Sequence, residues 1–178
     1  MFALTVDDEI ELRLVEQRHV DALQTLIERN LDHLRPWMPW VHEDASRDGL
    51  ASWVRLSLER HAAGNGFYAA IWHRTEIAGT IGLDVNQRQR SAEIGYWLDR
   101  DLQGGGLITR SVRALVGACF GDLGLHRVEI LCSPENVRSC AVAERLGFVH
   151  EGILREAERI GDRYQDLAVY GMLSADWT

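Results

Sequence analysis

A basic, then apolar leader is missing from this sequence. Met1 to Glu11 carries four acidic residues and no basic one, so no secretory signal is expected. Long apolar runs are missing too: Phe67 to Trp72 falls far short of the roughly 20 residues that span a bilayer. Cysteine is sparse, with only Cys119, Cys132 and Cys140. An odd number cannot all pair within one chain, and no two stand at metal-ligand spacing with a nearby histidine. Neither a disulfide framework nor a metal site is expected; the three read as small buried side chains in a reducing cytoplasm. Basic residues are outnumbered, 19 against 27 acidic, for a net charge of −8. Such a surface repels the phosphate backbone, which argues against a general nucleic-acid binder. With 3 prolines and 16 glycines in 178 residues, the chain is neither collagen-like nor of low complexity.

What is present suits a packed core. Hydrophobic residues make up 46%, and a chain of this length buries roughly 70% of its extended surface on folding. Without repeats or linkers, residues 1–178 read as a single domain. Alternation over Ile10 to Val15 predicts a strand, and Val20, Leu23, Ile27 and Leu31 then recur at helical spacing. Ser46 is a candidate cap for a second helix carrying Leu50, Val54 and Leu58. Phe67 to Trp72 and Ile77 to Val85 predict a hairpin, and Ser91 to Leu98 a further strand. A helix to about Phe120, a strand at Arg127 to Cys132 and a short helix at Asn136 to Leu146 follow. Two antiparallel strands, Phe148 to Leu154 and Tyr164 to Leu173, close the chain. Single strands between helices, together with a run of three strands, predict an α/β fold with a mixed sheet and helices on both faces. Between the first two helices, Trp37 and Trp40 stand among prolines; they are either core plugs or one wall of a substrate groove.

The most informative junction is Gln103, Gly104, Gly105, Gly106, where a strand gives way to a helix. Three ordered glycines are entropically expensive and make sense where the backbone must approach something closely. A helix start leaves N–H groups without partners and carries partial positive charge, so this turn is either a phosphate cradle or a plain flexible loop. It lacks the Lys-Ser/Thr ending of a triphosphate-binding loop. Gly104 and Gly106 are followed by Thr109 where a dinucleotide fingerprint needs its third glycine.

The run Gln103 to Ile108 resembles the acetyl-CoA pyrophosphate loop of the GCN5-related N-acetyltransferase (GNAT) superfamily, with Ile108 at a position where a small residue is usual. A second signature is Asn136, Ser139, Ala143, then Leu146, Gly147, Phe148, Glu151, Gly152 and Leu154. It is similar to the final helix–strand unit of the branch that contains the RimJ and RimL ribosomal-protein acetyltransferases. The Leu34 to Trp40 segment, the Glu93 to Leu98 strand and the Arg163, Tyr164, Asp166, Tyr170 pattern resemble that branch in the same order.

The resemblance implies a sheet in which the parallel strands Glu93 to Leu98 and Arg127 to Cys132 splay apart to admit acetyl-CoA. It places Tyr96, Trp97 and Leu98 on the pantetheine arm. Gln103 belongs to the motif, and Gly104, Gly106, Leu107, Ile108 and Thr109 fall on the pyrophosphate, with Arg110 or Arg138 adding charge. Asn136 suits an N-cap and in the family also touches the cofactor arm. Ser139 falls where a hydroxyl protonates the departing thiolate, and Glu158 at the general base; Glu93 is the rival base. Tyr164 and Asp166 would orient the acceptor, opposite Trp37, Trp40 and Tyr68. The expected reaction is direct transfer from acetyl-CoA to a primary amine, with no metal, no acetyl-enzyme and so no need of Cys140. The acceptor is a protein N-terminal amine or a small cation such as an aminoglycoside or polyamine, and the branch implies a homodimer. The competing readings are a non-catalytic CoA-binding sensor or assembly module and, third, a nucleotide-dependent enzyme.

Overall fold

The computed structural model describes residues 3–178; Met1 and Phe2 lie outside the described residues. Where apolar side chains alternate the chain is strand, and where they recur at three and four it is helix. Strands β1 (Ala3–Thr5) and β2 (Ile10–Leu14) precede helices α1 (Val20–Leu34) and α2 (Arg47–Ala62). Then come β3 (Gly66–His73), β4 (Glu76–Asn86) and β5 (Ser91–Leu98). Helix α3 (Leu107–Phe120), strand β6 (Arg127–Cys132), helix α4 (Val137–Arg145) and strands β7 (Val149–Ile160) and β8 (Arg163–Leu173) complete the order.

The expected bounds of β5 and β6 hold residue for residue, and β3–β4 is the expected hairpin. Ser46 caps α2, its side chain accepting from the Gly49 N–H at 3.1 Å. Two elements differ from expectation. Strand β1 pairs with β2 through Leu4 and Leu12, but three residues are too few for a period to show. Strand β7 does not stop at Leu154 but runs on to Ile160. Its register against β8 shifts between Leu154 and Glu158, and Glu156 sits there at φ 48°. That irregularity erases the alternation by which a strand is recognised.

Eight strands form one sheet in the order β1-β2-β3-β4-β5-β6-β8-β7. Every adjacent pair is antiparallel except β5 with β6. One face buries Leu12, Phe67, Ile81, Ile94, Val128 and Ile130 against the apolar stripes of α3 and α4. The other buries Ala70, Ile77 and Trp97 beneath α1 and α2, with Leu23, Ile27 and Val54. Leu23 and Leu115 are fully inaccessible, one in each layer; truncating such a leucine to alanine typically costs about 2–5 kcal/mol.

The single parallel pair shapes the site. Strands β5 and β6 pair only at Ser91, Ala92 and Glu93, against Arg127, Val128 and Glu129. Strand β5 continues to Leu98 on its β4 partner, while β6 continues to Cys132 on β8. From Ile94 onward the facing edges of the two strands are unpaired, and the sheet opens as a V.

Candidate functional site

Beyond the open end of β5, the glycine turn takes the shape its sequence demands. Gly104 and Gly106 lie at φ 83° and 72°, the left-handed region that side-chain-bearing residues avoid. A Cβ built at either meets nothing within 4 Å, so the turn presents bare backbone to open space. Gly106 caps α3, and the first bond into the helix runs from the Arg110 N–H to the Gly106 carbonyl at 3.0 Å. No backbone carbonyl takes up the N–H groups of Gly104 through Thr109. They form a row of donors at the positive end of a helix dipole, a site for anionic oxygen.

Side chains from three elements hold this turn in place. Gln103 donates from Nε2 to His33 Nε2 at 2.8 Å, and its Oε1 accepts from Arg138 on α4. Burial, helped by Arg138 and Arg100, pushes the His33 imidazole below its ordinary value, keeping that nitrogen a neutral acceptor. Gln103 therefore shapes the turn through its neighbours. Arg145 reaches Thr109 Oγ1 at 3.0 Å. Of the two arginines proposed to add charge, Arg138 stands at the turn. Arg110 is turned away onto Asp7 at 2.7 Å and Glu9 at 3.6 Å. Asp99, 2% exposed, closes β5. It accepts from Arg29 and from Asn30 Nδ2 at 3.1 Å, while Asn30 Oδ1 accepts from the Arg100 N–H at 3.0 Å. Sequence reasoning missed this knot because its members lie about 70 positions apart and carry no local pattern.

Inside the V, Tyr96 points toward α4. Its phenol lies 3.0 Å from Ser139 Oγ and 3.3 Å from the Ser139 carbonyl. Burial holds that phenol protonated well above the ordinary tyrosine range, the Ser139 hydrogen bond acting the other way. Asn136 caps α4 as expected, its Oδ1 accepting from the Ser139 N–H at 3.2 Å. Beneath Ser139, the Cys132 and Cys140 sulfurs are 3.6 Å apart. Burial, then Cys140, pushes the Cys132 thiol up to about 12. All three cysteines are buried and free.

The α1/α2 face of the sheet carries carboxylates. Register aligns Asp84, Glu93 and Glu129 across β4, β5 and β6. Arg60 pairs with Asp84, and Arg127 bridges Glu129 and Glu151. Glu93 has no cation among the described residues. Partial desolvation, although the side chain still reaches solvent, then Glu129 and Glu158, raise its carboxyl above the ordinary range. Glu158 lies on the continuation of β7, opposite Gln165, whose Nε2 donates to Glu158 Oε2 at 2.6 Å. The structure thus brings Glu158 and Glu93 within electrostatic reach on one face, beside the V.

The predicted groove residues divide. Trp40 is half-buried, its ring 6.2 Å from Trp97. The Trp37 N–H caps the end of α1 on the Leu34 carbonyl at 2.9 Å. Arg163 donates to the Pro36 carbonyl at 2.9 Å, which seats this segment over the β7–β8 hairpin. Tyr68 packs at a tilt against Trp53, ring centres 5.0 Å apart, and its hydroxyl reaches Asp84 at 3.3 Å. Both are on the carboxylate side. Tyr164 and Asp166 are not, because residues flanking Gln165 point to the opposite sheet face. Asp166 instead accepts the Glu156 N–H at 2.8 Å, closing the irregularity in β7. Among the described residues no group of three or more His, Cys, Asp or Glu is arranged to hold a metal, and no helix is long and apolar enough to cross a membrane.

A donor-lined turn beside an opened parallel pair fits a long, diphosphate-bearing ligand entering between strands. Comparison with known families agrees: the acetyltransferase (GNAT) domain model matches residues 9–149. The chain belongs to the GNAT acetyltransferase family. Its chemistry is transfer of an acetyl group from acetyl-CoA to an amine. YdaF of Bacillus subtilis strain 168 is 33% identical over 99% of this chain and 98% of its own length. The ribosomal-protein-serine acetyltransferase of Escherichia coli K12 is 32% identical over 96% of each. Among solved structures, RimL, a ribosomal L7/L12 alpha-N-protein acetyltransferase in complex with coenzyme A joined to a cysteine by a disulfide, superposes with a TM-score of 0.93. It is 29% identical and covers 97% of this chain and 98% of its own. The likeness to the RimJ/RimL branch therefore spans nearly the whole chain.

Proposed function

We propose that residues 1–178 act as a single N-acetyltransferase domain that moves the acetyl group of acetyl-CoA directly onto the N-terminal amine of a protein. The observation that carries this reading is the V itself: an unpaired β5 edge from Ile94 to Leu98 that leads into a turn of unpartnered N–H groups. The diphosphate sits on the amides of Gly104, Gly106, Leu107, Ile108 and Thr109. The pantetheine arm lies along Tyr96, Trp97 and Leu98, with Asn136 at its end. That arrangement delivers the thioester between Ser139 on one side and the Glu158–Glu93 face on the other.

Amide formation then needs three movements of charge. The amine nitrogen bonds to the thioester carbonyl carbon and gives up a proton to Glu158 through water. The C–S bond breaks. The departing thiolate takes a proton through the Ser139 hydroxyl, which Tyr96 holds by its own hydroxyl at 3.0 Å, and Ser139 is reprotonated from water as Glu158 gives its proton back to solvent. No thiol is required, and burial of Cys132 and Cys140 supports direct attack. An N-terminal acceptor is supported by the relatives that act on ribosomal proteins and by the acidic face that meets the incoming ammonium. Cytoplasmic residence is supported by three free thiols. A homodimer is supported by exposed Val137, Val149, Ile153 and Leu154, an apolar margin of the kind subunits cover.

The test is Glu158→Gln with saturating acetyl-CoA and a synthetic peptide bearing a free N-terminal serine. Turnover is expected to fall about 100-fold or more, while the acetyl-CoA dissociation constant measured by calorimetry stays within a factor of about two. Unchanged turnover would move the base to Glu93 or to solvent.

A further inference from the structure

Gln165 has no role in the reading so far, and its surroundings do not account for it. It is 8% exposed, on β8 where a buried strand position ordinarily holds an apolar side chain. Its Nε2 donates to Glu158 Oε2 at 2.6 Å, but its Oε1 is buried without any hydrogen-bond partner. The amide cannot turn over to relieve this. An ionised carboxylate only accepts, so the NH2 end must face Glu158 and the oxygen must face away. A buried acceptor left unpaired is costly and is kept where something supplies a donor during function.

Register fixes the sheet face that the Gln165 side chain occupies. Gln165 pairs with Glu158, and β8 pairs with β6 so that Gly171 lies opposite Glu129, itself opposite Glu93. Counting by twos from Gly171 brings Gln165 to the same sheet face as Glu129 and Glu93. The reacting end of acetyl-CoA, a thioester, has only acceptors. The amine is the reactant that brings N–H groups to this face.

We propose that Gln165 binds the acceptor amine: its Oε1 takes one N–H of the nucleophile while its Nε2 holds the Glu158 carboxylate that removes another proton. The inference rests on the reading of Glu158 as base. One amide thus sets the amine and the base against each other, and it selects acceptors that keep at least two N–H bonds, primary amines over secondary ones.

The experiment compares Gln165→Met, which keeps length and loses both polar ends, with Gln165→Asn, which keeps the amide but withdraws it. Both use the serine peptide and its N-methylated counterpart. Each variant is expected to lower kcat/KM for the serine peptide about 10- to 100-fold. The acetyl-CoA KM stays within a factor of about two, and the preference for the primary amine shrinks. A folded variant that keeps kcat/KM within a factor of about two overturns the proposal. So does one whose acetyl-CoA KM rises in step with the loss, since a disturbed hairpin would produce that. Glu158→Gln in the same series separates the two readings. If it stays active while the Gln165 variants fail, the base assignment falls and the amine contact stands; the reverse result removes only Gln165.

Discussion

Asp84, Glu93 and Glu129 stand in one cross-strand row, yet only the outer two have guanidinium partners, Arg60 and Arg127. Glu93 between them carries its charge against partial desolvation and the like charges of Glu129 and Glu158, which raise its carboxyl above the ordinary glutamate range. A carboxyl raised in the folded state favours folding while protonated and loses that contribution as pH climbs past the unfolded value. At pH 7 the native state therefore bears a penalty that the unfolded chain does not. Glu93→Gln is expected to raise Tm at pH 7, and the gain should fade as pH falls through 4.5; melting curves at both pH values check it, and an equal gain at both would refute it. Residue type and neighbourhood made Glu93 a candidate from the sequence. Its isolation from arginine did not show there, because Arg60 is brought to Asp84 by the packing of α2 on the sheet and Arg127 to Glu151 by the strand order.

Among the elements, those with strong periodicity were legible and those without it were not. Ser91–Leu98 and Arg127–Cys132 alternate cleanly, and Gln103 to Gly106 announced its turn by three successive glycines. The end of β7 is a different case. Arg155, Glu156, Ala157 and Glu158 show no alternation, so only the family resemblance singled out Glu158, which is a paired strand residue. The turn before α3 gives the sharpest element-level expectation. Gly106→Ala meets no atom within 4 Å, so any loss must come from forcing a Cβ-bearing residue to φ 72°, about 1–2 kcal/mol. Relaxing that strain would swing the Leu107–Thr109 amides out of line. Both a lower Tm and an acetyl-CoA dissociation constant weakened about 10-fold are expected. Unchanged affinity would show that these amides do not hold the diphosphate.

At the scale of the whole molecule, one interrupted pairing organises everything else. The overall α/β character and two-sided helix cover were readable from the order of elements, and the splay only through family resemblance, since nothing in either strand says where its neighbour departs. Amide hydrogen exchange can follow the open edge directly: N–H groups of β5 between Gly95 and Leu98 that face the gap should exchange quickly alone and slow markedly with CoA. Those of β3, paired along both edges, should not change. Equal protection of β5 with and without CoA would place the ligand elsewhere. All 19 basic residues are arginine, with no lysine, so no side chain competes with the acceptor as a nucleophilic amine.

Asp99 ties Arg29 and Asn30 of the helix above the acceptor face to the end of β5, a few residues ahead of the glycine turn. The two compartments proposed for cofactor and acceptor are thereby anchored to a single carboxylate. Tilting that helix to admit a bulkier acceptor pulls on the cradle of the other guest. Enlarging one compartment by mutation without loosening the other therefore has to begin on the far helix, α2, which lacks this anchor.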